Sequence, residues 1–405
     1  MKILFVHQNF PGQFLHVAPA LARRGHDVLA LTVDTNARRF EGRSARYKYT
    51  GKDIKAETFG LATRFAEASK RGADAAVTAA QLKRAGYEPD IIFSHIGWGE
   101  GLFLKEVWPR AKKIVYAEFF YAPHGRDTNF DPELQKASLS GSIWVKARTS
   151  AMALDLSDAD YAVAPTHWQA STIPGQYGSR LKVIHEGVRT DLIKPDDQAA
   201  FEIPEKNLTL KSGDEVLTFV SRNLEPYRGY HTIMRSLPKI LRERKNAQVV
   251  LVGGDGLSYG TPAPGGKSWK ETILDEVKNQ IDMDRVHFVG FIEHARFVSL
   301  LQISRAHAYL SYPFVLSWSM IEAMSAGALV VGSNTPPVAE VIKHGENGLL
   351  VDFFDVEGWS NTMIDALARP EHYAGLRAAA RETAIKRYDL NSVCLPQMIS
   401  FLESV

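Results

Sequence analysis

At 405 residues, with 45% apolar and 23% charged side chains, the chain has a globular composition and is too long for one ordinary core, so two domains are expected. Its 48 Lys and Arg nearly balance 46 Asp and Glu, which argues against a dedicated nucleic-acid binder. The one cysteine, Cys394, excludes an internal disulfide, and no window approaches the roughly 20 apolar residues of a spanning helix.

The first residues, KILFVH, read as a buried strand rather than a secretion signal, because the apolar run is short and ends in polar residues. The loop QNFPGQ and a helix, FLHVAPALARRG, follow, and Gly25 closes the helix as a C-cap would. HDVLALTVD is the next strand. This start has one loop glycine, Gly12, and lacks G-x-G-x-x-G, so a nicotinamide-dinucleotide site is not supported. Gly12 either lets backbone approach a ligand at a helix start or makes a tight turn.

Residues 60–86 look helical. PDIIFSH is a strand ending at His95, where parallel sheets bind ligands, and the glycine-rich IGWGEG follows it. KKIVYAEFFY is another strand. The long polar loop after it, APHGRDTNFDPE, offers His124, Arg126 and Asp127 as substrate contacts or as ordinary surface residues. A helix over 140–157, the strand ADYAVAPT and the segment LKVIHEGV complete a doubly wound α/β half. RTDLIKPDDQAAFEIPEKN, polar and without a clear period, is expected to be a linker.

The second half repeats the grammar. EVLTFVSRN is a strand, EPYRG a turn, and YHTIMRSLPKILRER a helix. NAQVVLVGGDG is a strand and a turn through Gly253, Gly254 and Asp255. LSYGTPAPGGKSW is a loop. RVHFVGFI is a strand reaching Phe291 and Ile292. AHAYLSYP, WSMIEAMSAG and ALVVG give a strand, a helix and a strand, with Glu322 inside the helix and Glu340 after the second strand. SVCLPQMISFLESV is an amphipathic helix.

Together, MIEAMSAGALVV with the glutamate of PPVAEVIKHGENGLLV, FVSRNLEPYRG, HQNFPGQFLHVAPALARRGH and PTHWQASTIPGQY resemble the retaining glycosyltransferases of family 4, along nearly the whole chain. The resemblance implies the GT-B fold, two Rossmann-like domains facing each other across a cleft. Residues 1–192 would form the acceptor side and 193–375 the nucleotide-sugar side, with helices of 376–405 packing back toward the first domain. It implies an enzyme of bacterial polysaccharide or glycoconjugate synthesis. A sugar would pass from a UDP- or GDP-sugar to a saccharide, a lipid-linked sugar or a small hydroxyl acceptor, with retention and without metal or other cofactor.

By the same resemblance Arg222 and Arg228 meet the pyrophosphate, where fixed cations lower the barrier as charge grows on the leaving group. The family usually has Lys at the second position. Glu322 would take the ribose hydroxyls, and Phe291 and Ile292 would border the base beside the Gly253–Gly254–Asp255 turn. Glu340 would add a carboxylate to the nucleotide side, and His95 would lie near the donor sugar. Phe314 stands where the family pattern has its first glutamate, and VLSWS replaces the usual turn, so an altered sugar site is expected. Backbone N–H groups of Leu316, Ser317 and Trp318 could still reach phosphate or sugar oxygens. A nucleotide-sugar epimerase or hydrolase, and a non-catalytic nucleotide-sugar binder, remain as other readings. A cytoplasmic protein without nucleic-acid partners is expected. Basic segments near Arg38 and Arg39, or from Arg64 to Arg71, would allow peripheral membrane contact or serve as solvated faces.

Overall fold

The computed structural model describes residues 1–405, which divide into two compact units, Met1–Gly187 with Asn391–Val405, and Val188–Leu390. The first unit is built on seven parallel strands: β1 (Lys2–Val6), β2 (Asp27–Val33), β3 (Arg43–Tyr47), β4 (Ile91–His95), β5 (Lys112–Tyr116), β6 (Tyr161–Ala164) and β7 (Leu181–Val183). Their spatial order is β3-β2-β1-β4-β5-β6-β7. Alternate side chains of a strand point to opposite faces. Ile3 and Phe5 therefore join one core with Phe14, Phe93 and Ile114, while Leu4 and Val6 join another with Leu29, Ile92 and Trp108. Both faces are covered, which is why these strands read as continuous apolar runs. Each such Ile, Leu or Phe contributes about 1.5–3 kcal/mol by leaving water. The terminal helix Leu395–Glu403 adds Met398 and Leu402 to the first of these cores. Its Glu403 takes hydrogen bonds from Arg24 at 2.9 Å and contacts His26 at 3.1 Å.

The second unit has a six-stranded parallel sheet and a separate hairpin. The hairpin, β8 (Ala200–Ile203) and β9 (Leu208–Lys211), is antiparallel. The sheet strands are β10 (Val216–Asn223), β11 (Gln248–Gly254), β12 (Val286–Gly290), β13 (Ala306–Tyr309), β14 (Leu329–Ser333) and β15 (Leu349–Val351), in the order β12-β11-β10-β13-β14-β15. The hairpin corrects the linker expected at 189–207. Its Phe201, Ile203 and Leu210 are buried with Val216, Val250 and Val252. The polar residues between them masked an alternating strand whose inward side is apolar. β3 was also missed: it is an edge strand, largely exposed, and its RSARY sequence carries two arginines.

Both sheets reverse their strand order once. In the first unit the reversal lies between β1 and β4, in the second between β10 and β13. Chains leaving neighbouring strands in opposite directions open a crevice at the carboxyl ends, the usual ligand position in such sheets.

Candidate active site

In the second unit, the segments leaving β10 and β13 flank the reversal. Arg222 stands exposed near the end of β10. The chain then makes the tight turn Pro226–Arg228 and enters the helix Tyr230–Glu243 through Gly229. Gly229 has φ +74°, and a Cβ there would overlap Leu310 beyond β13. Only glycine allows the two exit segments to lie this close. The Arg228 guanidinium is buried and donates to Ser311 Oγ at 2.7 Å and to the Val315 carbonyl at 3.0 Å. It thus pins the segment before the helix Trp318–Ala326. That segment is also held by Tyr309, whose hydroxyl accepts the Ser317 N–H at 2.7 Å. Burial, the main cause, pushes the Tyr309 phenol above its ordinary pKa.

Phe314 is buried, not open to a crevice. Its ring lies edge-on to Tyr227 at 5.2 Å and 5.0 Å from Tyr259, and the Arg228 guanidinium sits 5.7 Å from it. Tyr259 belongs to the Gly- and Pro-rich loop after β11. That loop is held by buried Glu225, which accepts the N–H groups of Ser258, Tyr259 and Gly260 at 3.2, 3.4 and 3.3 Å. An aromatic at 314 and the loop carrying Tyr259 therefore form one packed group around Arg228, with Glu225 as its fastening.

The other expected nucleotide-side residues occupy exits of the same sheet. Gly253 and Gly254 end β11, and a Cβ on Gly254 would meet the Phe291 ring and, at 2.8 Å, Asn223 Oδ1. Phe291 is 73% exposed, an aromatic face left in solvent, while Ile292 is half-buried against two cores. Asp255 is exposed and pairs with Lys270 at 3.1 Å. Ser317 caps the helix Trp318–Ala326, whose first residue, Trp318, is exposed; Leu316 is buried. Glu340 is half-buried at the end of the helix Pro336–Ala339, beyond β14. Glu322 is largely buried, and its Oε1 lies 2.9 Å from Nε2 of exposed His294. The bonded carboxylate raises the His294 pKa. His294 was not foreseen, because it is 28 residues from its partner and neither belongs to a local motif with the other.

In the first unit the reversal is lined differently. His95 Nδ1 accepts the Gly97 N–H at 3.0 Å, which leaves Nε2 as the N–H side of the ring, 3.5 Å from Glu118 Oε2. Gln13 Nε2 donates to the other Glu118 oxygen at 2.9 Å. His7, just past β1, repeats the arrangement: its Nδ1 accepts the Asn9 N–H at 2.9 Å and its ring stands 5.2 Å from that of His95. Burial, with His95 and Arg38 nearby, pushes the His7 pKa down to about 2, so this imidazole is neutral. Gly12 has φ +49°, and a Cβ there would come within 2.9 Å of the His7 ring. The glycine serves close packing of the β1 exit on His7. Tyr116 bonds Glu186, and burial holds its phenol well above the ordinary pKa. A cavity beside them, lined by Gln13, Tyr116, His185 and Glu186 among apolar residues, holds about 20 Å³, room for one water and too little for a substrate.

His124, Arg126 and Asp127 do not join this group. Arg126 donates to the carbonyls of Phe120 and Thr172 and so braces its own loop, Asp127 is buried, and His124 is exposed. Glu118 was missed because KKIVYAEFFY was read as strand throughout. The strand stops at Tyr116, which puts Glu118 in the exit loop.

Two family models match the chain: a glycosyl transferase family 4 group over residues 24–193 and glycosyl transferases group 1 over residues 201–383. The chain belongs to this glycosyltransferase family, and its two parallel-sheet units have the GT-B architecture. Among its relatives is a D-inositol 3-phosphate glycosyltransferase of Rhodococcus jostii, 25% identical over 230 residues, 56% of this chain and 48% of that protein. Another is an N-acetyl-alpha-D-glucosaminyl L-malate synthase of Bacillus anthracis, 27% identical over 183 residues, 45% of this chain and 44% of that protein. The chain spans about half the length of these curated relatives. Anabaena HepE, solved with UDP and glucose, shares the fold with TM-score 0.65 and 18% identity, over the full length of both chains. A sucrose-phosphate synthase from Thermosynechococcus elongatus does so with TM-score 0.72 and 17% identity, over 100% of this chain and 98% of that one.

Proposed function

We propose that the protein transfers a glycosyl group from a nucleoside-diphosphate sugar to a hydroxyl acceptor, with retention and without metal. The observation that carries this reading is the pair Arg222 and Arg228 at the strand-order reversal of the second unit, with Glu322 on the helix that begins beside it. Arg222, exposed, takes the pyrophosphate directly. Arg228 adds positive charge from behind and fixes the segment from Ser311 to Val315, while the Ser317 N–H, expected to reach a phosphate or sugar oxygen, is taken instead by the Tyr309 hydroxyl. Glu322 accepts the vicinal ribose hydroxyls, a strong and directional interaction for a carboxylate. Phe291 gives the base an aromatic neighbour.

The reaction breaks the bond between the anomeric carbon and the β-phosphate oxygen. It forms the bond to the acceptor oxygen on the same face, and the acceptor proton passes to the departing phosphate. Negative charge grows on that phosphate, so preformed cations stabilise the transition state more than the ground state. His95, His7 and Glu118 of the first unit, two imidazole N–H donors and one carboxylate acceptor, suit acceptor hydroxyls. Uridine is the favoured base, since the similar HepE fold was solved with UDP.

The test is a thermal-shift panel of UDP, GDP, ADP, dTDP and their glucose conjugates, with and without EDTA. A ligand at about 100 times its Kd stabilises by about 2.7 kcal/mol. UDP and UDP-glucose are expected to raise the Tm equally with and without EDTA, and Glu322→Ala to shrink the shift. No shift with any nucleotide would overturn the reading.

A further inference from the structure

The loop after β4, IGWGEG, is fixed at nearly every residue and leaves one large side chain out. The Ile96 N–H donates to the Tyr116 carbonyl at 3.2 Å, and the Gly97 N–H to His95 Nδ1 at 3.0 Å. A Cβ on Gly99 would overlap the Ala68 backbone, and one on Gly101 would come within 2.5 Å of Ser94 Oγ. Such close approach on both sides requires glycine. Between them Glu100 is buried and accepts the Tyr47 hydroxyl at 3.0 Å; burial, the main cause, raises its pKa. Trp98, inside this run, is 41% exposed. The packing of its neighbours therefore sets where its indole stands in solvent.

Position separates Trp98 from the other exposed aromatics of the first unit. Phe59, Phe65 and Trp144 stand on helices, whereas the Trp98 ring lies 6.1 Å from that of His95, inclined to it by 33°. His95 brings with it Glu118, 3.5 Å from its Nε2, and Gln13, which donates to the other Glu118 oxygen at 2.9 Å. This strand-order reversal thus sets a hydrogen-bonding edge beside an exposed aromatic face, at a separation that one six-membered ring spans. A saturated ring polyol, a pyranose or a cyclitol, is built to match. It carries hydroxyls around its rim and C–H bonds on its faces. The neighbouring oxygens make those hydrogens positive, and the π face of an indole is negative. An acyclic polyol has the hydroxyls without the rigid C–H face. Fixing the indole before the ligand arrives spares the cost of ordering it.

We propose that Trp98 is the platform on which the acceptor stacks, and that the acceptor hydroxyl belongs to a saturated six-membered ring whose rim meets His95 and Glu118. This rests on the reading of the first unit as the acceptor side and adds the chemical class of the acceptor. The test is saturation-transfer NMR of the full chain, in the presence of UDP, with methyl pyranosides of glucose, galactose, mannose and N-acetylglucosamine, with myo-inositol, and with sorbitol as the acyclic control. At least one ring compound is expected to receive saturation, strongest on its C–H protons, and sorbitol none; a pyranoside or the cyclitol as the better binder assigns the source of the ring. Trp98→Ala is expected to weaken that compound about tenfold, Trp98→Leu equally, and Trp98→Phe less than about threefold, because an aromatic face is kept. All three variants are expected to keep the parent's Tm without ligand and its Tm shift with UDP. No saturation of any ring compound overturns the proposal. So does a sorbitol signal equal to theirs, or a Trp98→Leu variant that binds as tightly as the parent. If the Trp98→Ala variant misfolds by circular dichroism, the Phe and Leu substitutions alone decide. A parent that binds a ring compound through Trp98 but shows no shift with any nucleotide would overturn the donor reading and leave this one standing.

Discussion

The two strand-order reversals have the same topology and opposite chemistry. Between β1 and β4 the exit loops present His7, His95, Gln13 and Glu118, held by side-chain bonds and by N–H groups two residues on. Between β10 and β13 they carry exposed Arg222 and buried Arg228, the latter beside the rings of Tyr259 and Phe314. A parallel sheet fixes where a ligand sits but not its charge. Imidazole and amide donors with one carboxylate suit hydroxyl groups, whereas an exposed guanidinium backed by a buried one suits a diphosphate. The division of labour proposed for the two units rests on this contrast.

The most direct way to break the contrast is to remove one charge from each side. Arg222→Ala is expected to lower kcat by about 100- to 1,000-fold, with a smaller loss of UDP affinity, because the cation meets charge that develops during bond breaking. Glu118→Gln is expected to raise the acceptor KM while leaving the UDP-induced thermal shift unchanged. Steady-state kinetics with each substrate varied in turn checks both. Equal losses in kcat and UDP affinity for Arg222→Ala, or a weakened UDP shift for Glu118→Gln, would end the assignment of opposite roles.

The backbone at the two reversals offers a second comparison, in stability. Gly229→Ala forces a left-handed backbone on alanine and drives its Cβ into Leu310, which is fully packed beyond β13. A loss of about 2–4 kcal/mol is expected in urea unfolding. Gly12→Ala carries similar backbone strain, but its Cβ meets the His7 ring at 2.9 Å, and a ring can tilt away where the Leu310 Cβ, fixed to its own backbone, cannot. Its cost is expected to be smaller, about 1–2 kcal/mol. The reverse order would mean that the β1 exit, rather than the β10 exit, is the more rigid.

Much of this was legible in the sequence for physical reasons that also mark where legibility stops. Central strands buried on both faces announce themselves as apolar runs, so His95 could be placed at a strand end and Arg222 near another. Edge elements do not: the arginines of β3 and the polar half of β8 hid both strands. Glu118 was lost because an apolar run continued past the last ladder bond at Tyr116. Phe314 was recognisable as a departure from the family pattern. That it is buried against Tyr227 and Tyr259 depends in part on the loop of Tyr259, about 55 residues earlier, being held over it by Glu225. Pairings across such distances, His294 with Glu322 among them, leave no periodic trace.

That last pair gives the smallest expected effect and the finest test of the nucleotide side. Glu322 raises the His294 pKa, so the imidazolium is favoured in the folded protein. Stability from a raised pKa is fully present below the ordinary histidine value and fades as pH rises through the folded value. Stability should therefore fall slightly over the pH range just above the ordinary histidine value of about 6.5. The amount is at most about 1 kcal/mol, since the His294 side chain is 67% exposed and solvent screens the pair. His294→Gln keeps a donor near Glu322 but cannot titrate, so its Tm-versus-pH curve should be flatter than that of the parent across this window. UDP binding adds a second readout: with the imidazolium holding one carboxylate oxygen, the parent's affinity should follow the same titration and the variant's should not. Parallel curves for the two proteins would mean that Glu322 is oriented by its own helix alone and that His294 is a bystander.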